Sequence, residues 1–226
     1  FDALIQQYPN QPVLRNYLGL THYEMKRYDD AVRVFQTTLD QSPAYAAAYI
    51  NLGIVRTKQH KFAQAEQAYR KAIEAQEGNP KPYLNLGILH TRQENWIDAI
   101  RYLEQSIQLS SGDLKARAHY YAGLSQVSIG DTSLAREHFD ESILLRPDYL
   151  LPRVQLGLLE EDIQKKKAYL REILRLHPNY APAYYHLAML NSSENNLQDA
   201  EENLFKAIKA NPTDLDMHAQ LGELYL

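Results

Sequence analysis

Residues 51–58 read Asn51-Leu52-Gly53-Ile54-Val55-Arg56-Thr57-Lys58, and residues 85–92 repeat the pattern as Asn85-Leu86-Gly87-Ile88-Leu89-His90-Thr91-Arg92. The central glycine recurs along the whole chain, at Gly19, Gly53, Gly87, Gly123 and Gly157, each preceded by Leu or Ala, with Ala188 and Gly222 continuing the series. The steps are 34, 34, 36, 34, 31 and 34 residues. A fixed period of this size marks an array in which each repeat is one supersecondary unit that buries its apolar face only against its neighbours. Such an array argues against an enclosed catalytic pocket.

With the glycine set at position 8 of each unit, other positions keep their chemistry too. Position 7 is Leu18, Leu52, Leu86, Ala122, Leu156 and Leu187, and position 20 is Ala31, Ala65, Ala99, Ala135 and Ala200. Position 24 is Phe35, Tyr69, Leu103, Phe139 and Leu204, and Pro43, Pro147 and Pro212 fall at position 32. In these residues the chain resembles the tetratricopeptide repeat (TPR) family, with its W-x2-L-G-x2-Y, A-x3-F and P pattern. The resemblance covers essentially all 226 residues. It implies an all-α, right-handed superhelical solenoid of antiparallel helix pairs, with fourteen helices counting a broken one at each end, and no strand.

The pattern has physical reasons of its own. Glycine inside a helix costs about 1 kcal/mol relative to alanine, so its regular return needs a packing reason: a neighbouring helix approaches with no side chain between the backbones. Alanine at position 20 serves the same approach from the second helix. Proline at position 32 closes that helix, because it cannot continue one and turns the preceding residue away from helical geometry. Amphipathic spacing then predicts helix pairs over about 12–41, 46–76, 80–109, 113–145, 150–176 and 181–210. The corresponding repeats are 12–45, 46–79, 80–115, 116–149, 150–180 and 181–214 in one array. Residues 1–11 read as the end of a preceding repeat and 215–226 as the start of another, so self-association through exposed repeat ends is expected.

Two departures from the period stand out. Two residues are added before Gly123, around Ser110-Ser111-Gly112-Asp113, a run rich in turn and N-cap types. The fifth unit is short, and three residues are expected to be missing from the turn around Glu160–Ile163. Counting back from Pro178 puts Lys166 in the alanine slot, and no Gly, Pro or Asn marks that turn. The turn reads either as a tight rigid connection or as a hinge.

Hydrophobic content of 45% and charged content of 23% are ordinary for a soluble chain. The net charge of −4 argues against a general nucleic-acid binder, and nucleic acid is not expected as a partner. No apolar run approaches the roughly 18 residues that would span a bilayer. Zero cysteines exclude disulfides and thiolate sites and fit a cytoplasmic or a periplasmic setting equally. No zinc, phosphate-loop, dinucleotide or nucleophile-elbow motif appears, so no enzyme activity, cofactor or metal is expected. His22 and His90 at position 11, and His119 and His218 at position 4, read as structural residues in aromatic slots. Asn191-Ser192-Ser193 fits the glycosylation triplet but lies in a predicted helix.

The resemblance places the candidate binding surface on the concave face, lined by the first helix of each pair. Positions 2, 5, 6, 9, 12 and 13 form one stripe there by helical spacing. Its candidate residues are Ile50, Leu84 and Tyr120 at position 5, Asn51, Asn85 and Tyr121 at position 6, and Ile54 and Ile88 at position 9. Positions 2 and 13 add Lys81, Arg117, Lys58 and Arg92. Amides can bond a peptide backbone, an apolar floor takes its side chains, and cations attract its carboxylates.

The family's clamp for C-terminal carboxylates wants Lys at position 5 and Asn at position 9; this chain lacks it, having Ile50 with Ile54 and Leu84 with Ile88 there. Asn51 and Asn85 resemble the amide ladder of O-linked N-acetylglucosamine transferases. The leading function is therefore a scaffold that binds proteins or peptide segments along its concave face. The alternatives are a substrate-recruiting arm of a larger enzyme such as a glycosyltransferase, and a periplasmic assembly factor for a secreted polymer or pilus.

Overall fold

The computed structural model describes residues 4, 7, 8 and 10–225. Among them it contains thirteen α-helices and no strand. The broken helix expected over Phe1–Pro9 falls largely outside the described residues. The chain divides into two compact units, Phe1–Asp131 and Thr132–Leu226.

In the first unit the helices are α1 (Pro12–Glu24), α2 (Tyr28–Gln41), α3 (Ala46–Lys58), α4 (Phe62–Ala75), α5 (Pro80–Arg92), α6 (Trp96–Leu109) and α7 (Gly112–Ser128). Each first helix packs on the second helix that follows it, α1 on α2, α3 on α4 and α5 on α6. The first helices also touch in series, so α1, α3, α5 and α7 form one layer and α2, α4 and α6 another. There is no single core. One cluster joins Ala31, Phe35, Ala48 and Val55, the next joins Ala65, Tyr69, Leu86 and Leu89, and a third joins Leu84, Ala99, Leu103 and Ala118. Each cluster draws on consecutive helices, as expected when a repeat is completed by its neighbour.

The recurring residues meet inside these clusters. A Cβ placed on Gly19 would lie 2.4 Å from the Phe35 ring, and one on Gly87 would lie 2.4 Å from Cγ of Leu103. The alanines at position 20 in both units, Ala31, Ala65, Ala99, Ala135 and Ala200, are fully buried. A left-handed residue follows five of the helices, Lys26, His60, Glu94, Gly130 and Asn195, with φ from 57° to 86°. The residue after it bonds back to a carbonyl near the helix end, as in Lys61 N–H to Arg56 O at 2.9 Å and Asn95 N–H to His90 O at 3.0 Å. This satisfies carbonyls that a helix terminus otherwise leaves open.

The second unit holds α8 (Thr132–Leu145), α9 (Leu150–Leu158), α10 (Ile163–Leu176), α11 (Ala181–Ser193), α12 (Leu197–Ala210) and α13 (Leu215–Leu224). Here α9 packs on α10, α10 on α11, and α11 on α12. The short repeat corrects one expectation: its residues are lost from a helix and not from a turn. Helix α9 has 9 residues where α3 and α5 have 13, and the connection that follows, residues 159–162, carries no left-handed residue. Asp162 caps α10 by accepting the Lys165 N–H at 2.9 Å. Arg136 on α8 donates to the Leu159 carbonyl at 2.9 Å, closing the truncated end of α9. The ring of Tyr169 covers Gly157 at 2.7 Å from a built Cβ, and Lys166 stands half-buried in the alanine slot.

Candidate functional site

On α3, α5 and α7, positions 2, 6, 9 and 13 lie four, three and four residues apart as one helical stripe, and the side chains there are left at least partly open. Asn51 and Ile54 of α3 are half-buried there with Lys58 exposed, Asn85 and Ile88 of α5 are half-buried with Arg92 exposed, and Arg117 and Tyr121 of α7 are half-buried. Position 5 does not belong to this face. Ile50, Leu84 and Tyr120 are buried, Leu84 to 1% exposure. The reason is that α3 and α5 each meet their own partner, the preceding second helix and a first helix on either side. The covered arc is thus wider than one partner helix would require, and it takes in position 5.

A cleft of about 210 Å3 opens on this face. Ile54, Thr57 and Lys58 come from α3, Asn85, Ile88, Leu89 and Arg92 from α5, Arg117 and Tyr121 from α7, and Tyr69 from α4. The structure therefore gathers seven of the twelve sequence candidates into one place: Ile54, Lys58, Asn85, Ile88, Arg92, Arg117 and Tyr121. Lys81, exposed in the first turn of α5, does not line the cleft. Asn51 lies on the same stripe but spends a donor on Asn16 of α1, Nδ2 to Oδ1 at 2.8 Å.

Tyr69, Thr57 and Leu89 line the cleft without having been candidates. The Tyr69 hydroxyl lies 3.3 Å from Thr57 Oγ1. Burial pushes Tyr69 up to about 12, with the Thr57 contact and the nearby Arg92 charge acting in the opposite direction, so it stays a neutral phenol at physiological pH. The sequence carried a signal for it: a hydroxyl in a core slot that holds Phe or Leu in other repeats.

His90 is buried, with neither ring nitrogen bonded, stacked on Tyr102 at 5.3 Å and 4.0 Å from a Glu66 oxygen. Among the described residues no three His, Cys, Asp or Glu side chains are grouped to hold a metal ion. No helix of the described residues is long and apolar enough to cross a membrane. Asn191 is 3% exposed inside α11 and accepts a hydrogen bond from Lys167, so its glycosylation triplet is not presented to solvent.

This geometry has counterparts. Residues 11–78, 84–149 and 181–214 each match the tetratricopeptide repeat. A chain of the APC/C hetero-tetramer Cut9–Hcn1 aligns with TM-score 0.78 at 21% identity, over 99% of this chain and 44% of its own length. Pseudomonas aeruginosa PilF aligns with TM-score 0.72 at 18% identity, over 94% of this chain and 97% of PilF. YrrB, described as a TPR protein with an unusual peptide-binding site, aligns with TM-score 0.56 at 20% identity, over 82% of this chain and 97% of its own. At these identities the likeness is one of fold.

Proposed function

This chain belongs to the tetratricopeptide repeat family, and from that premise we propose that it is a protein-interaction scaffold whose first unit holds a peptide segment along α3, α5 and α7. The carrying observation is the single cleft to which three successive first helices contribute an amide, an apolar floor and cations. Asn85 has no bonded partner among the described residues, so its amide is free for a peptide backbone. Ile54 and Ile88 offer a surface for an aliphatic side chain. A repeat array supports this role physically, since stacked units present an extended row of side chains at regular spacing.

The test is selection of peptides from a displayed random library on the immobilised chain, followed by affinity measurement on the synthesised winners. Asn85→Ala is expected to weaken binding by about 1 kcal/mol, one lost hydrogen bond, with an unchanged melting temperature. Asn51→Ala is expected to weaken it similarly but with some loss of stability, because it also leaves the buried Asn16 amide without its donor. Equal affinity for wild type and both variants would contradict the proposal.

A further inference from the structure

Three cations without counter-ions share one small cleft. Lys58 leaves the last turn of α3, Arg92 the last turn of α5 and Arg117 the early part of α7. No Asp or Glu lines the cleft, and none of the three is ion-paired with a described residue. Several arginines elsewhere on the surface do have a local carboxylate. Arg27 and Arg33 share Asp30, Arg70 binds Glu66, Arg101 binds Asp98 and Arg175 binds Glu172. The whole chain carries a net charge of −4, so this cleft is a local inversion of sign.

Convergent like charges repel, and at this range salt screens them only in part. An anion of matching geometry relieves that repulsion. Two guanidinium groups suit carboxylates, each able to donate two parallel hydrogen bonds, and Lys58 adds a mobile point charge. Ile54 and Ile88, both half-buried, line the same cleft and favour an aliphatic neighbour over a free inorganic ion. The volume of about 210 Å3 takes side chains and not a folded domain. A nucleic acid would ask for a basic stripe following its backbone, whereas these three charges are confined to one cleft.

We infer that the cleft is an acidic anchor site, taking adjacent Asp or Glu side chains of a partner peptide on Lys58, Arg92 and Arg117 with a flanking aliphatic residue against Ile54 and Ile88. The inference rests on the peptide-binding reading above and adds what the peptide must contain.

The same displayed library, selected on the full chain, provides the test. The selected peptides are expected to share an acidic pair beside Leu, Ile or Val. A synthetic winner with its acids changed to Asn and Gln is expected to bind about tenfold more weakly, as is the original winner to R92Q/R117Q, and both effects shrink in high salt. Because the replaced cations repel one another, R92Q/R117Q is expected to melt no lower than wild type, which separates lost binding from lost fold. Winners without acidic preference that Asn85→Ala still weakens would overturn the acidic anchor and leave the peptide reading standing. Winners that bind only when a serine is phosphorylated would also overturn it, assigning the cleft to phosphate. No enrichment at all would overturn both readings.

Discussion

Gly53 and Tyr69 occupy each other's space: a Cβ built on the glycine lies 2.4 Å from Cε1 of the ring. Tyr69 also lines the cleft, so one packing contact joins the fold to the candidate site. Gly53→Ala is expected to push Tyr69 out of position and destabilise the chain by about 1–3 kcal/mol. Gly222→Ala is the control, because nothing lies within 4 Å of its Cβ and alanine favours the helix, raising stability by up to about 1 kcal/mol. Thermal melts of the two variants check this, and similar shifts in both would contradict it.

Lys167 is 3% exposed in α10, and its ammonium donates to Asn191 Oδ1 at 2.5 Å and to the Glu194 carboxylate. Removing one partner leaves a buried charge poorly compensated. Asn191→Leu removes one hydrogen bond to that charge and is expected to cost about 1–3 kcal/mol, while K167M/N191L, which removes both buried polar groups, is expected to lose less than the two single changes together. A double-mutant cycle by urea unfolding measures the difference. Additive losses would contradict the account.

Burial holds the His186 imidazole below its usual value. The unfolded chain then takes up more protons than the folded one as pH drops below about 6.5, so stability is complete above that value and declines as pH falls through the folded pKa. His186→Gln is expected to flatten this decline. The check is the melting temperature of both proteins between about pH 8 and pH 5, where parallel curves would contradict the assignment.

The fold was legible because its spacing rules act on every repeat at once: the contacts of Gly19 with Phe35 and of Gly87 with Leu103 follow from one periodic register. The short repeat was not fully legible. A count of residues gives the size of a deletion, but whether it shortens a helix or a turn depends on caps such as Asp162 and on the distant Arg136. Within the site, Asn85, Ile88 and Arg92 share a stripe that helical spacing alone identifies. Leu84 and Tyr120 misled because spacing reports which residues share a face and not how many neighbours cover the adjoining arc. Tyr69 was overlooked for a related reason: its slot marks it as core, and only the packed structure shows it lining the cleft.

The central claim is that peptides bind on the uncovered stripe of α3, α5 and α7. Amide chemical-shift mapping of the full chain, titrated with a library-selected peptide, tests it most directly. The account expects the largest shifts at Asn51, Ile54, Asn85, Ile88, Arg92 and Tyr121, with unchanged signals on the solvent side of α4 and α6. Shifts concentrated on α4 and α6, or confined to the unit beginning at Thr132, would contradict it.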